Sequence, residues 1–217
     1  MHIKIDFKIF IFVLVFCLTN QIYMYVLLML FAILHEIGHL LAGIILKLKP
    51  KKIEINPLGL SITFEGMGEK FKNKIEQKKI LIALAGPFVN LLIILFSAFA
   101  PLGEEKILII YANLILLLVN LLPIYPLDGG RVLKSLLHLK LDYWTSCKIM
   151  NEVSNTITII LTIIASITVF YFKNLAIFFM VFYLWILMIQ ENRKYKLIEK
   201  THNLIEKNKV LLEKANI

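Results

Sequence analysis

His35-Glu36-Ile37-Gly38-His39 brings together residue types and a spacing that can do chemistry. Two histidines four positions apart share one face of a helix, so both imidazoles can reach a single metal ion. The glutamate between them is placed to take a proton from a water on that ion. Zinc lowers the pKa of such a water from about 16 to near 7. The pattern therefore predicts metal-assisted hydrolysis, with His35 and His39 as zinc ligands and Glu36 as general base.

A hydrolytic zinc takes three protein ligands and keeps a fourth position for water. The candidate third ligand is Asp128, in the run Asn120-Leu121-Leu122-Pro123-Ile124-Tyr125-Pro126-Leu127-Asp128-Gly129-Gly130-Arg131. Depth favours the pairing. His35 and His39 lie some 7–11 residues from the end of an apolar block, roughly 10–17 Å at helical rise. Pro123 and Pro126 break another apolar block just before Asp128. Broken backbone at membrane depth is tolerated where it lines a polar cavity, which hydrolysis needs for water.

These residues are embedded in apolar sequence. Ile22–Leu34 precedes His35 and Leu40–Leu46 follows His39. Ionisable groups inside a spanning helix cost at least about 2.5–3.5 kcal/mol each on insertion scales, which marks them as functional candidates. A hydrogen-bonded core cluster would not require the ligand spacing. The wider chain agrees: of its 217 residues 59% are hydrophobic and 18% charged, against about 45–50% and 25% for soluble domains. Six blocks predict six membrane helices: Phe7–Leu18, Ile22–Leu46, Ile80–Leu102, Ile107–Leu122, Ile157–Phe172 and Leu175–Ile189. The first lacks a small-x-small cleavage site before Gln21 and is expected to be retained.

Basic residues set the orientation. With the N-terminus cytoplasmic, 22 of the 24 Lys and Arg fall on the inner side, and only Lys106 and Lys173 fall outside. The net charge of +9 is thus a topology signal, and no nucleic-acid partner is needed to explain it. The expected fold class is an all-α integral membrane protein of about six spans with both termini cytoplasmic. Residues 1–189 form the membrane domain and 190–217 a cytoplasmic tail. Ile53–Phe64 is β-branched and alternating, broken by Asn56-Pro57 and Gly59, and reads as extended chain. Arg131–Leu139 reads as an interfacial helix. Cys17 and Cys147 are expected to be small core residues, and His138 and His202 solvated or interfacial histidines.

The ordered motifs resemble the site-2 protease family. His35-Glu36-Ile37-Gly38-His39 with Leu127-Asp128-Gly129 is similar to its metal signature. Ala85-Gly86-Pro87-Phe88-Val89-Asn90 resembles its G-x-x-x-N element, and Asn120…Pro123…Asp128-Gly129 its N…P…D-G element. Ile55-Asn56-Pro57-Leu58-Gly59-Leu60 resembles its short membrane-associated β-hairpin. The compact pattern looks like the stage IV sporulation protein FB branch. The Lys47–Lys79 connection is too short for a PDZ domain, and the 28 residues after Ile189 leave no C-terminal CBS domain expected.

The resemblance implies an intramembrane zinc endopeptidase in a bacterial cell membrane, with His35, His39 and Asp128 on zinc and Glu36 catalytic. Substrate contacts fall on Asn56, Pro57, Gly59, Asn90 and Asn120, with Asn90 helping to hold the scissile carbonyl or serving as interhelical glue. It also implies a membrane-associated protein substrate cut near the cytoplasmic face, such as a sporulation sigma-factor precursor. Inhibitory or activating membrane partners and self-association are compatible with it. The alternative is a metal-binding or metal-transporting membrane protein without proteolytic activity. Transport needs polar groups along several spans, and the first, fifth and sixth blocks carry no central carboxylate or histidine. An inactive relative would be expected to lack Glu36 or a ligand. The tail repeats Leu-Ile-Glu-Lys at 197 and 204 and Leu-Leu-Glu-Lys at 211, which suits a short coiled coil or a helix on the inner leaflet equally.

Overall fold

The computed structural model describes residues 2–5, 7–56, 59–65, 73–172 and 175–215. Strand β1 (His2–Ile5) leads into helices α1 (Lys8–Leu18) and α2 (Ile22–Ile45). Strands β2 (Pro50–Asn56) and β3 (Gly59–Phe64) follow, then α3 (Asn73–Phe99), α4 (Glu105–Asn120), α5 (Asp128–Lys140), α6 (Tyr143–Phe172) and α7 (Leu175–Ala215).

The chain is mostly helical, as expected, but the sheet is larger than a hairpin. β2 and β3 pair antiparallel, and β1 joins β2 in parallel with His2 opposite Lys52 and Ile5 opposite Ile55. The extra strand arises because β2 of a lone hairpin would leave a row of backbone donors and acceptors open. His2-Ile3-Lys4-Ile5 has the period-2 alternation to fill that edge but is too short to be read from sequence. The pairing brings the start of the chain to the same end of the helices as the α2–α3 connection. Among the described residues β1 and β3 are the two edges of the sheet, β3 being the one packed on α2 and α3.

Among the described residues, three helices are long and apolar enough to cross a membrane: Ile22–Ile45, Asn73–Phe99 and Tyr143–Thr168. Large apolar side chains face outward along them and along α1, among them Phe10, Ile33, Leu41, Phe96, Phe99 and Ile163. Water would not tolerate such a surface, and lipid would. Cys147 is buried as expected, whereas Cys17 is exposed on the outward face of α1. α7 runs unbroken through Ile189, so the sixth apolar block and the tail share one helix, with Leu197 and Leu204 exposed.

α3 is the central element and packs against α2, α4 and α5. Ile62 and Phe64 of β3 pack with Ile82 of α3 and with Leu40, Ala42 and Leu46 of α2, which docks the sheet on the C-terminal end of α2 and the N-terminal half of α3. Lys78 Nζ donates to the Leu46 carbonyl at 3.1 Å, satisfying a helix-end acceptor. In α6, hydroxyls that lipid cannot solvate bond back to the helix, as Thr158 does to the Ser154 carbonyl at 2.7 Å. Trp185 Nε1 donates to Thr162 Oγ1 at 2.8 Å and ties α7 to α6. α6 opens on a side-chain cap, with the Thr145 N–H donating to Asp142 Oδ2 at 2.9 Å. That bond holds the Asp142 carboxyl below the ordinary aspartate range.

The break after α4 occurs where the prolines require it. Residues 121–127 form a compact turn in which Ile124 is buried and Tyr125 N–H donates to Ser154 Oγ at 3.0 Å. α5 then starts directly against that turn. A Cβ on Gly129 would meet the Leu121 carbonyl, and one on Gly130 the Ile124 carbonyl, so side chains are sterically excluded at both positions. Gly130→Ala is expected to lower stability by about 1–3 kcal/mol, the usual cost of overpacking. Thermal unfolding of detergent-purified protein measures it, and an unchanged midpoint would show that the turn yields freely.

Candidate metal centre

The site is built by α2, α3 and α5. His35 and His39 project from one face of α2, both fully buried, and Asp128 enters as the first residue of α5. His35 Nε2 and His39 Nε2 are 3.1 Å apart, and Asp128 Oδ2 lies 2.9 Å from the first and 3.2 Å from the second. Three donors thus form a near-equilateral triangle, and this is the one metal-ligand cluster among the described residues. A tetrahedral zinc with bonds of about 2.0–2.2 Å asks for donors roughly 3.3–3.5 Å apart, so the triangle needs to open only slightly to accept it. The donor chemistry fits as well, two imidazole nitrogens and a carboxylate oxygen.

Each histidine is oriented through its other nitrogen. His35 Nδ1–H donates to Asn90 Oδ1 at 2.8 Å, and His39 Nδ1–H donates to the Ile82 carbonyl at 2.7 Å. Both acceptors belong to α3. These bonds fix the tautomer that presents Nε2 to a metal. Asn90 is itself fully buried, and its amide reaches the Asn113 carbonyl of α4 at 3.5 Å. Gly86 is the reason α3 can come so close: a Cβ there would lie 2.5 Å from Nε2 of both His35 and His39. Arg131, one turn after Asp128, places Nη1 3.8 Å from the other carboxylate oxygen.

Glu36 and His39 line a cavity of about 480 Å³. Its walls include Ile62, Thr63 and Phe64 of β3, Glu76 and Lys79 of α3, and Arg131, Lys134 and His138 of α5. The edge strand β3 and His39 of the candidate metal site therefore line the same space. Of the two alternatives for His138, solvated or interfacial, the structure excludes the first: its side chain is 8% exposed, between α5 and α3. The side chain of His202 lies outside those described.

Of the other expected residues, Asn90 reaches the site, but its partner is the ligand His35. Asn56 and Gly59 pair with one another at the turn of the hairpin. Pro57 lies outside the described residues. Asn120 lines a separate apolar cavity with Phe12, Tyr25, Met29 and Leu127, between α1, α2 and α4. The Ile82 carbonyl, Asn113 and Arg131 were not legible as site residues. A backbone carbonyl carries no sequence signal, and the spacing of Arg131 from Asp128, one helical turn, became meaningful only once Asp128 was seen to open a helix.

Residues 8–133 match the family described as Peptidase M50B-like, and residues 106–165 match Peptidase family M50. The chain belongs to the Peptidase M50B-like family. This bears out the site-2 protease resemblance and, with the donor triangle, zinc as the cofactor. The chain is 29% identical over 156 residues to a zinc metalloprotease of Methanocaldococcus jannaschii, covering 66% of this chain and 44% of that protein. It is 30% identical over 123 residues to stage IV sporulation protein FB of Bacillus subtilis, covering 54% of this chain and 41% of that protein. The match thus spans less than half the length of either relative. The solved site-2 protease from Methanocaldococcus jannaschii shares the fold, with a TM-score of 0.67 and 22% identity over 87% of this chain and 89% of that chain.

Asn90→Ala is expected to weaken zinc binding by about 10–100-fold, the usual effect of removing a partner that orients a ligand. Gly86→Ala should abolish it by driving a methyl group between the two imidazoles. Chelator competition on purified protein checks both, and retention of full affinity in Gly86→Ala would refute the donor triangle.

Proposed function

We propose that the chain is an intramembrane zinc endopeptidase that cuts a membrane-associated protein near the cytoplasmic face. The observation that carries this reading is the donor triangle, whose His39 lines, together with Glu36, a cavity walled by the edge strand β3. His35, His39 and Asp128 would hold zinc, which would supply Lewis acidity to acidify water and polarise a carbonyl. Glu36 takes the proton from the attacking water and passes it to the departing amide nitrogen. Asn90 and the Ile82 carbonyl hold the two imidazoles in place during that exchange.

A helical substrate hides its scissile bonds in its own hydrogen-bond ladder, so it must be unwound first. β3 offers unpaired backbone groups to an extended segment, the geometry of β-augmentation. Asn56 and Gly59 then act by shaping the turn that aims this edge, and Pro57 stays a candidate substrate contact by the family resemblance alone. Asn120 faces the apolar cavity against α1 and acts, if on substrate, on its membrane-embedded part.

Six spans with both termini cytoplasmic fit two independent features, the basic-residue asymmetry and the parallel pairing of β1 with β2 at one end of the helices. The host membrane is that of a bacterial cell. The relative named for stage IV of sporulation makes a sporulation sigma-factor precursor the substrate to test first, together with any membrane partner that restrains or activates cleavage. A transport function is less well supported, because the one ligand cluster among the described residues sits in a single place rather than along a path.

Glu36→Gln should abolish cleavage of a co-expressed membrane-tethered substrate, by about 10²-fold or more, while zinc content stays normal. Cleavage by Glu36→Gln at the wild-type rate would remove Glu36 as base. Proline at alternate positions of β3 should slow cleavage where it removes an outward N–H, with zinc unchanged. Equal effects at all positions would count against strand addition. Reporter fusions after Lys79 and after the tail should report cytoplasm, and one at Lys173 the exterior; the reverse pattern would overturn the topology.

A further inference from the structure

α5 is a thirteen-residue helix whose first residue is Asp128. His138 sits ten residues further along it, roughly 15 Å away at helical rise. The surroundings of His138 are specific. Its Nδ1 lies 3.6 Å from Glu76 Oε2 of α3, an ion-pair rather than a hydrogen-bond distance. Its Nε2 lies 3.9 Å from Cys147 Sγ of α6, and its ring stacks on Tyr143 with centroids 5.4 Å apart at 29°. Both nitrogens thus face acceptors and the ring lies against a π surface, a setting that suits the doubly protonated imidazolium. Glu76 is buried, with Oε1 taken by Lys79 Nζ at 2.7 Å and Oε2 without a hydrogen-bond partner. Losing the charge on His138 would leave the buried carboxylate to Lys79 and the Ser135 hydroxyl.

We propose that His138 is a positioning residue for the metal centre, pairing with Glu76 to lock α5 against the helix that orients both ligand histidines. The inference rests on the zinc-site reading above. Its basis is that α3 then references all three ligands: Asn90 holds His35, the Ile82 carbonyl holds His39, and Glu76 holds the far end of the helix bearing Asp128. Gly129 and Gly130 lie at the near end, pressed against the turn. Freeing the far end lets α5 turn at that joint, which re-aims the Asp128 side chain relative to the two imidazoles held by α3.

The pair responds to pH. The charged or titratable groups around His138 include Glu76 and Lys79 on α3, Tyr143 and Cys147 on α6, and Lys134 and Arg131 on its own helix, which with Glu36 and Tyr125 share the cavity. The contacts with Cys147 and then Glu76 raise the His138 pKa above its ordinary value. A raised folded-state pKa means that the stabilisation is complete at lower pH and is lost as pH climbs through that value. Metal sites otherwise bind more tightly as pH rises, because ligands shed protons. An alkaline loss of affinity is therefore diagnostic.

The test is zinc affinity by competition with a chromophoric chelator, using the full chain in detergent from neutral to alkaline pH, alongside kcat and KM on a cleaved substrate. His138→Gln and Glu76→Gln should each weaken zinc about tenfold at neutral pH and lower kcat with KM little changed. The double variant should be no worse than either single, because the two act as one unit. Wild type should lose affinity on the alkaline side, His138→Gln should not, and Glu76→Gln should lose it at lower pH. Unchanged zinc affinity in both variants, or a rise in KM alone, would overturn the proposal and make His138 a substrate contact. Should the variants fail to fold, the wild-type profile decides, and no alkaline loss of zinc contradicts it. Zinc retention with no cleavage by wild type would count against the peptidase reading and leave this measurement intact.

Discussion

Everything in this fold follows from placing two histidines and an aspartate, all fully buried, among apolar helices. Such groups are costly in that setting unless each polar atom has a partner. The arrangement answers with a closed set: three donor atoms converge within 2.9–3.2 Å of one another, and the remaining nitrogens are bound by Asn90 and the Ile82 carbonyl. A divalent cation at the centre would turn mutual crowding of lone pairs into coordination. The rest of the molecule is arranged to allow that convergence.

The consequences are spread over several elements. α3 can lie against the histidines only because position 86 has no side chain, and α5 can start beneath the proline turn only because positions 129 and 130 have none. Once α3 is that close, its backbone and side chains become the frame for both histidines. The same helix carries Ile82 into contact with Ile62 and Phe64, so the sheet is docked on the frame as well. β3, Glu36 and His39 line one cavity, of which α3 forms a further wall.

Much of this was legible in the residues. The i, i+4 histidines defined one face of α2 and Asp128 was singled out by depth and by the prolines before it, and the structure brings these three side chains together. The apolar blocks located the helices to within a few residues at most ends, but not where polar residues extend them. α3 begins at Asn73 and α6 at Tyr143, well before their apolar blocks, since tertiary packing rather than hydropathy decides those ends. β1 escaped notice because four residues carry too little pattern. Burial of Glu76 escaped notice because a member of a polar pair between helices looks, in sequence, like a solvated residue.

Zinc X-ray absorption on the purified, fully loaded protein tests the central claim most directly, since it reads the coordination shell rather than its consequences. The account predicts two imidazole nitrogens and one carboxylate oxygen from the protein, at about 2.0–2.2 Å, with a further light-atom ligand and no sulfur. A sulfur scatterer near about 2.3 Å, or a shell with only one imidazole, would contradict it.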